Sequence, residues 1–212
     1  MSWVFDTFSS SIGKKLLMAV TGLGFLGFLA GHLLGNLTVY WGPAAFVSYA
    51  EHLHALEPLV KVAEMGLLTF LFIHVTSGTI LFLQNLKARG GQYAVKKWAG
   101  GRTVFSATMP YTGLFIIIFV SVHLATFKFT MGGSTVFEKA STVFANPAYM
   151  IFYTLSMAVV ALHVGHGLWS AFQTLGLSHP KYMPAIRACS LAAAVGVLLG
   201  FGLLPTVILL MA

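Results

Sequence analysis

Five long stretches of the chain contain no charged residue. They cover residues 16–50, 65–86, 103–127, 140–180 and 188–212. Each stretch can hold the roughly 20 apolar residues that a helix needs to cross a bilayer. Their apolarity is continuous rather than alternating, which favours helices over the strands of an outer-membrane barrel. We predict one transmembrane domain over residues 1–212, with five helices at about 16–40, 60–86, 104–128, 148–175 and 185–210.

The segments between these helices are short. A short interfacial helix is expected in "WGPAAFVSYAEHLHALEPL", and prolines break the chain in "GLSHPKYMP". The first apolar segment is too long for the core of a signal peptide, so we expect it to remain as helix one. No soluble domain and no long internal repeat is evident. The chemistry of this chain is therefore expected to lie within the membrane.

Composition and charge agree with a membrane protein and suggest its orientation. The chain is 58% hydrophobic and 8% charged, against about 25% charged in soluble domains. With the N-terminus inside, the cytoplasmic segments hold nine of the twelve basic residues, and Lys61, Lys128 and Lys139 fall outside. Four of the five acids also fall outside. Because basic residues favour the cytoplasmic side, we predict an inner-membrane protein with a cytoplasmic N-terminus and an external C-terminus.

Four of the five predicted helices carry a histidine that has no acidic neighbour: His32, His74, His123 and His163. An ionisable side chain in a bilayer is costly and marks a functional site by default. One such residue is readily explained as a structural hydrogen-bonding group, but four are harder to explain in that way. Two facing neutral imidazoles are the axial ligands of a six-coordinate haem b. Four histidines therefore predict a five-helix bundle that encloses two haems b.

The depth of each histidine predicts which two share an iron, because both ligands must lie at one level. At about 1.5 Å per residue, His32 and His123 lie about 14 and 8 Å from the outer ends of their helices. His74 and His163 lie about 20 and 24 Å from theirs. The count predicts an outer pair, His32 with His123, and an inner pair, His74 with His163.

Glycines accompany these histidines. Helix one has a stripe of glycines on one face, at positions 24, 27, 31 and 35, and His74 and His163 each precede a glycine by four residues. Such stripes also arise from helix packing in membranes, but glycine beside histidine favours a flat, bulky cofactor. His166 has Ser170 in the equivalent place, so we prefer His163 as the ligand. We expect His166 to donate to a haem propionate or a backbone carbonyl, or to be a packing residue.

These motifs resemble those of a known family. "LAGHLLGN", "LFIHVTSG", "VSVHL" and "LHVGHGLWSAF", in this order, resemble the dihaem cytochrome b membrane-anchor subunit of succinate:quinone oxidoreductases and quinol:fumarate reductases. The resemblance extends over nearly the whole chain. It implies axial ligands at His32, His74, His123 and His163, in the same pairs, and no ligand role for His166.

The resemblance also implies a function and partners. A chain of this kind passes electrons between a quinone, expected to be menaquinone, and an iron–sulfur subunit on the cytoplasmic face. A flavoprotein subunit handles succinate or fumarate, so this chain is expected to be an electron-transfer subunit of the enzyme. Glu64 matches the region of a glutamate implicated in quinone binding. Ala161 stands where some members have an acid, and this departure argues against a transmembrane proton relay of that kind.

Two other functions are compatible with the same residues. One is a cytochrome b anchor for another respiratory complex, such as a hydrogenase or formate dehydrogenase. The other is a haem-free transporter or scaffold that uses the histidines for hydrogen bonds or protons. Membrane lipid and quinone are expected partners in the preferred interpretation, and nucleic acid is not.

Overall fold

The computed structural model describes residues 2–88, 104–130 and 132–212, and these form nine α-helices. A 3-10 turn at Thr38–Trp41 joins the second helix to the third. The helices are α1 Ser2–Ser9, α2 Ser11–Leu37, α3 Pro43–Ala55, α4 Glu57–Ala88, α5 Val104–Phe127, α6 Val136–Phe144, α7 Pro147–Thr174, α8 Met183–Gly202 and α9 Leu204–Met211.

Among the residues that the structure describes, five segments are long and apolar enough to cross a membrane. They are Ser11–Trp41, Glu57–Ala88, Phe105–Phe127, Pro147–Thr174 and Met183–Met211. Large apolar side chains on their outer faces, such as Leu34, Phe72 and Leu198, are exposed in the isolated chain. Exposed apolar surface of this extent suits contact with lipid. The prediction of an all-α membrane protein with five spanning helices is confirmed.

The spanning helices alternate in direction, and α7 lies at the centre of the bundle. It packs against α2, α5 and α8. Its inward face supplies several of the buried residues, namely Tyr153, Ser156, Met157, Val160 and Ala161.

The bundle has two ends, which we name from their short helices. The α1 end holds α1 and the starts of α2, α5 and α8, and the α3 end holds α3, α6 and α9.

The α3 end contains more helical structure than the sequence pattern predicts. The expected interfacial helix is present as α3, but α6 lies between predicted helices three and four, where no further helix is predicted. Thr135 caps α6: its hydroxyl accepts from the Glu138 amide, and its amide donates to the Glu138 carboxylate at 2.8 Å. The bond from the Thr135 amide holds the pKa of Glu138 below its ordinary value. Such a reciprocal cap stabilises a short helix.

The fifth span is divided rather than continuous. Helix α8 ends at Gly202, and α9 begins at Leu204 with Pro205 in its first turn. Proline has no amide hydrogen to donate and its ring clashes with the preceding turn, so it favours a helix start over a helix interior. Beyond the break, α9 packs against α6 and buries Leu204 and Ile208.

The two ends differ in charge. The described basic residues at the α1 end are Lys14, Lys15, Lys87, Lys181 and Arg187. The other four predicted cytoplasmic basic residues, Arg89, Lys96, Lys97 and Arg102, lie outside the described residues. At the α3 end, Lys61 pairs with Glu57 at 2.6 Å and Lys128 pairs with Glu64. Positive charge is therefore neutralised at the α3 end more than at the α1 end.

Candidate functional site

The structure brings the four intramembrane histidines together as two pairs. The ring centres of His32 and His123 are 6.0 Å apart, and those of His74 and His163 are 6.5 Å apart. Two metal–imidazole bonds of about 2 Å each place the bonded nitrogens about 4 Å apart, with the ring centres farther back on both sides. Each pair is therefore spaced to bind one metal ion between two imidazoles. These are the pairs that depth predicts, and ligation itself stays a prediction.

The pairs lie at different levels of the bundle. Thr21 on α2 contacts His74, and His32 follows Thr21 by eleven residues on the same helix. Eleven residues correspond to about 16 Å along a helix axis. The His32–His123 pair is the nearer one to the α3 end, and the His74–His163 pair is nearer to the α1 end.

Threonine hydroxyls bind the His74–His163 pair. Thr21 Oγ1 lies 3.0 Å from His74 Nδ1, and Thr112 Oγ1 lies 3.0 Å from His163 Nδ1. In both cases the threonine is on the neighbouring antiparallel helix. Both rings therefore have their Nδ1 atom occupied by a hydrogen bond.

Each threonine is followed by a glycine that the same imidazole approaches closely. A Cβ atom at Gly22 would lie 3.3 Å from His74 Cε1, and one at Gly113 would lie 3.6 Å from His163 Cε1. The first distance is tight, so Gly22 gives the His74 ring room to reach the Thr21 hydroxyl, whereas the second is ordinary van der Waals contact.

These contacts belong to a sparse internal repeat that the sequence analysis missed. The pattern Met-x-x-Thr-Gly-Leu occurs at 18–23 and at 109–114, and a histidine follows each threonine by eleven residues. Met18 and Met109 lie beside Gly78 and Gly167, the glycines that follow His74 and His163 by four residues. Helices α2 and α4 therefore form one two-helix unit, and α5 and α7 form a second unit with the same contacts.

Aromatic rings surround the His32–His123 pair. His32 stacks on Phe28, with ring centres 5.4 Å apart and planes at 12°, and it also contacts Phe201. Three aromatic rings have their centres within 6.1 Å of the His123 ring centre, namely those of Phe119, Phe127 and Tyr153. Among the described residues, the buried Nδ1 atom of His123 has no hydrogen-bond partner. Ring packing therefore orients His123 where hydrogen bonds orient His74 and His163.

The glycine stripe of helix one has two roles. A Cβ atom at Gly24 would collide with Phe70, and one at Gly35 would lie 2.5 Å from the Tyr49 ring. A Cβ atom at Gly27 or Gly31 would meet no atom within 4 Å. The two ends of the stripe therefore serve helix packing, the alternative that such stripes allow. Only its central glycines leave a smooth, open face.

His166 lies one turn from His163 but has a different neighbour. Its ring packs edge-on against Trp169, with ring centres 5.0 Å apart, and Arg187 lies over the same tryptophan. Within the described part of the chain, the buried Nδ1 atom of His166 has no hydrogen-bond partner. It is thus a polar group near the α1 end that is free to bind another acceptor or donor.

Glu64 forms its ion pair with Lys128, and Lys61 pairs with Glu57 instead. The pair joins α4 to α5 at the α3 end, where Lys128 follows His123 by five residues. An open cavity of about 370 Å³ lies at the same end, but Glu64 is not among the residues that line it. The residues facing this cavity are Ala125, Thr126, Thr130, Lys139, Thr142, Val143, Asn146 and Tyr149.

No group of three or more histidine, cysteine, aspartate or glutamate side chains occurs in the described ranges in an arrangement that could hold a metal ion. A porphyrin supplies its own nitrogen ligands and needs only two axial groups from the protein. The arrangement of the histidines as separate pairs therefore suits haem better than a bare metal ion.

Comparison with known proteins gives one informative match. The chain is 26% identical over 154 residues to the succinate dehydrogenase cytochrome b558 subunit of Bacillus subtilis (strain 168). The aligned region covers 71% of this chain and 73% of that relative. The resemblance is confirmed. The chain is similar to a cytochrome b subunit of a succinate dehydrogenase, as its histidine motifs predict. No family model matches it, and no solved structure does.

Proposed function

We propose that this chain is the membrane-anchor cytochrome b subunit of a succinate dehydrogenase or fumarate reductase complex. The observation that carries the proposal is the presence of two histidine pairs, 6.0 and 6.5 Å between ring centres, at two levels of one bundle. The similarity to a succinate dehydrogenase cytochrome b subunit supports it. His32 with His123, and His74 with His163, would each hold one haem b.

The residues around the pairs fit this group. Central glycines of α2 leave an open face immediately before His32. The unpartnered Nδ1 atom of His166 suits a hydrogen bond to a propionate near the α1 end. When bound, haem b supplies reversible one-electron transfer. The chain itself holds the imidazoles at fixed separation, and its aromatic rings keep water from the His32–His123 pair.

We place the quinone, with menaquinone as the expected species, near Glu64. Quinol oxidation releases protons, and a carboxylate at the membrane edge can accept them by general base catalysis. Glu64 lies at the same end of the bundle as the His32–His123 pair, and the Lys128 ammonium neutralises its charge. Electrons would then pass between the quinone and the His32–His123 level, and onward to the His74–His163 level.

We assign the α1 end to the cytoplasmic side, with the C-terminus outside. The described basic residues at this end form no ion pair with a described acid. Such positive charge suits an acidic protein partner and anionic lipid headgroups. The iron–sulfur subunit would dock there and carry the flavoprotein subunit, which handles the dicarboxylate. This chain would therefore be an electron-transfer subunit of the oxidoreductase in the inner membrane.

The test is purification of the intact complex from native membranes. We expect a b-type reduced-minus-oxidised spectrum, two haems per chain, and co-purification of an iron–sulfur subunit and a flavin-containing subunit. Co-purification with a hydrogenase or formate dehydrogenase instead would assign the chain to another complex. A preparation that lacks a b-type band would contradict the proposal and support a haem-free scaffold or transporter.

A further inference from the structure

We propose that Thr21 and Thr112 are positioning residues that fix the tautomer of His74 and His163 and lower the reduction potential of the haem between them. This inference rests on the proposed function, since it requires that pair to bind haem. It follows from two hydrogen bonds of the same length, 3.0 Å, one in each half of the chain.

Each threonine hydroxyl group has a single proton to donate. Thr21 Oγ1 donates to the Leu17 carbonyl at 2.7 Å, and Thr112 Oγ1 donates to the Met109 carbonyl at 3.0 Å. A carbonyl oxygen can only accept a hydrogen bond, so the hydroxyl proton is used in that contact. The bond to the imidazole must then be accepted by the hydroxyl oxygen.

The same hydrogen bonds determine the tautomer of the two imidazole rings. The Nδ1 atom of His74 and that of His163 must each carry the hydrogen, because each faces an oxygen with no proton left to give. A neutral imidazole with Nδ1–H keeps its lone pair on Nε2, and that lone pair is what a metal ion needs. The two threonines therefore select the ligating nitrogen before any metal binds.

The bond to threonine also changes how strongly the imidazole donates electrons to a metal ion. A hydrogen bond accepted from the far nitrogen of a ligating imidazole makes the ring a more basic ligand. A more basic ligand stabilises ferric over ferrous iron, which lowers the reduction potential. Thr21 is only 3% exposed, so little water is present to replace its oxygen as the acceptor.

The experiment is a redox titration of the intact complex, followed by absorbance and by the ferric electron paramagnetic resonance signals. Thr21→Val and Thr112→Val keep the side-chain shape and remove the acceptor, whereas Thr21→Ser and Thr112→Ser keep the hydroxyl. Thr69→Val is the control, because the Thr69 hydroxyl bonds its own helix at the Met65 carbonyl and the residue is exposed. The haem between His74 and His163 is identified by its loss in His163→Ala.

We expect each valine variant to raise the midpoint potential of that haem and the double variant to raise it further. The serine variants and Thr69→Val should titrate like the parent protein, and the other haem should not shift. Loss of the haem in a valine variant with recovery in the serine variant also supports the proposal. Unchanged potentials in both valine variants, or equal damage by valine and serine, would overturn it. A parent complex without two haems would instead overturn the proposed function.

Discussion

The two histidine pairs have nearly the same spacing but are held by different forces. The His74–His163 pair has both Nδ1 atoms bonded to threonine hydroxyls at 3.0 Å. The His32–His123 pair has stacked and tilted aromatic rings around it, and His123 Nδ1 is unpartnered within the described residues. A directional bond fixes which ring nitrogen carries hydrogen, whereas ring packing fixes only where the ring lies. One repeated two-helix unit therefore produces two sites of different character.

The difference implies that the two sites respond to different substitutions. Removing a hydroxyl group should affect the His74–His163 site through the electronic state of its ligands. Adding a side-chain atom to the open face of α2 should affect the His32–His123 site by filling the space beside that pair. The threonine variants test the first response, and four further substitutions probe the ligands, the proposed quinone site and the helix faces beside the two pairs.

The largest effect is expected at the ligands themselves. If two haems are bound as proposed, His163→Ala should remove one of them, because haem iron cannot keep six-coordination with one protein imidazole. His166→Ala is the matched control three residues away and should retain both haems. Haem per chain, measured by pyridine haemochrome assay on the purified complex, distinguishes the two variants. Retention of two haems in His163→Ala with loss of one in His166→Ala would reverse the assignment.

A second large effect is expected at the α3 end. Glu64→Gln removes the proposed proton acceptor and should lower quinone-linked turnover by about 100-fold, since general acid–base groups contribute roughly 10²–10⁴-fold. Stability should change by only about 0–1 kcal/mol, because the Glu64–Lys128 pair is partly exposed. Both haems should remain in place.

Glu57→Gln provides the control for Glu64→Gln. Glu57 forms an exposed ion pair with Lys61 on the same helix. Glu57→Gln therefore removes a similar ion pair, but from a residue with no proposed role at the quinone site. Steady-state quinol oxidation by the complex is the measurement. Equal turnover in the two variants would remove Glu64 from the quinone site and leave the comparison of the histidine pairs intact.

The sequence predicts the spanning helices well because lipid imposes a simple rule, namely about 20 apolar residues for each crossing. It also predicts which histidines meet, because depth along a straight helix follows from residue count. Helix α6 is missed because the rule for membrane crossings does not apply to a nine-residue helix. The available signal was the capping box formed by Thr135 and Glu138.

The contacts of Thr21 and Thr112 could not be derived in the same way. Whether a threonine on one helix faces a histidine on another depends on the rotation and separation of the two helices. A sequence pattern does not specify these quantities. The available signal was the repeated Met-x-x-Thr-Gly-Leu motif, with histidine eleven residues after each threonine. Gly24 and Gly35 show the converse: their spacing fits a cofactor face, but the structure fills them with aromatic rings.

A moderate effect is expected at the central glycines of α2. A methyl group at Gly31 would meet no protein atom within 4 Å, so Gly31→Ala costs nothing in the chain itself. If a haem lies against this face, the methyl group overpacks it. Overpacking costs about 1–3 kcal/mol, which corresponds to roughly tenfold weaker retention of the haem held by His32 and His123.

Gly196→Ala is the control for Gly31→Ala. Gly196 is also free of atoms within 4 Å but lies on α8, whose described residues include no histidine. Retention of each haem during detergent dilution, followed by absorbance, compares the two variants. Equal retention in Gly31→Ala and Gly196→Ala would show that this face of α2 meets lipid instead.

The smallest effect is expected at Gly22 and Gly113, where the two repeated units differ in the distance from the glycine to the facing imidazole. A methyl group at Gly22 would lie 3.3 Å from His74 Cε1, whereas one at Gly113 would lie 3.6 Å from His163 Cε1. The first distance is tight enough to move the ring by a few tenths of an ångström, and the second is ordinary contact. Gly22→Ala should weaken haem retention at this pair by roughly fivefold, about 1 kcal/mol at the low end of overpacking costs. Gly113→Ala should leave retention unchanged. Detergent dilution also measures this difference, and equal weakening in both variants would mean that the two units are equally close around their imidazoles.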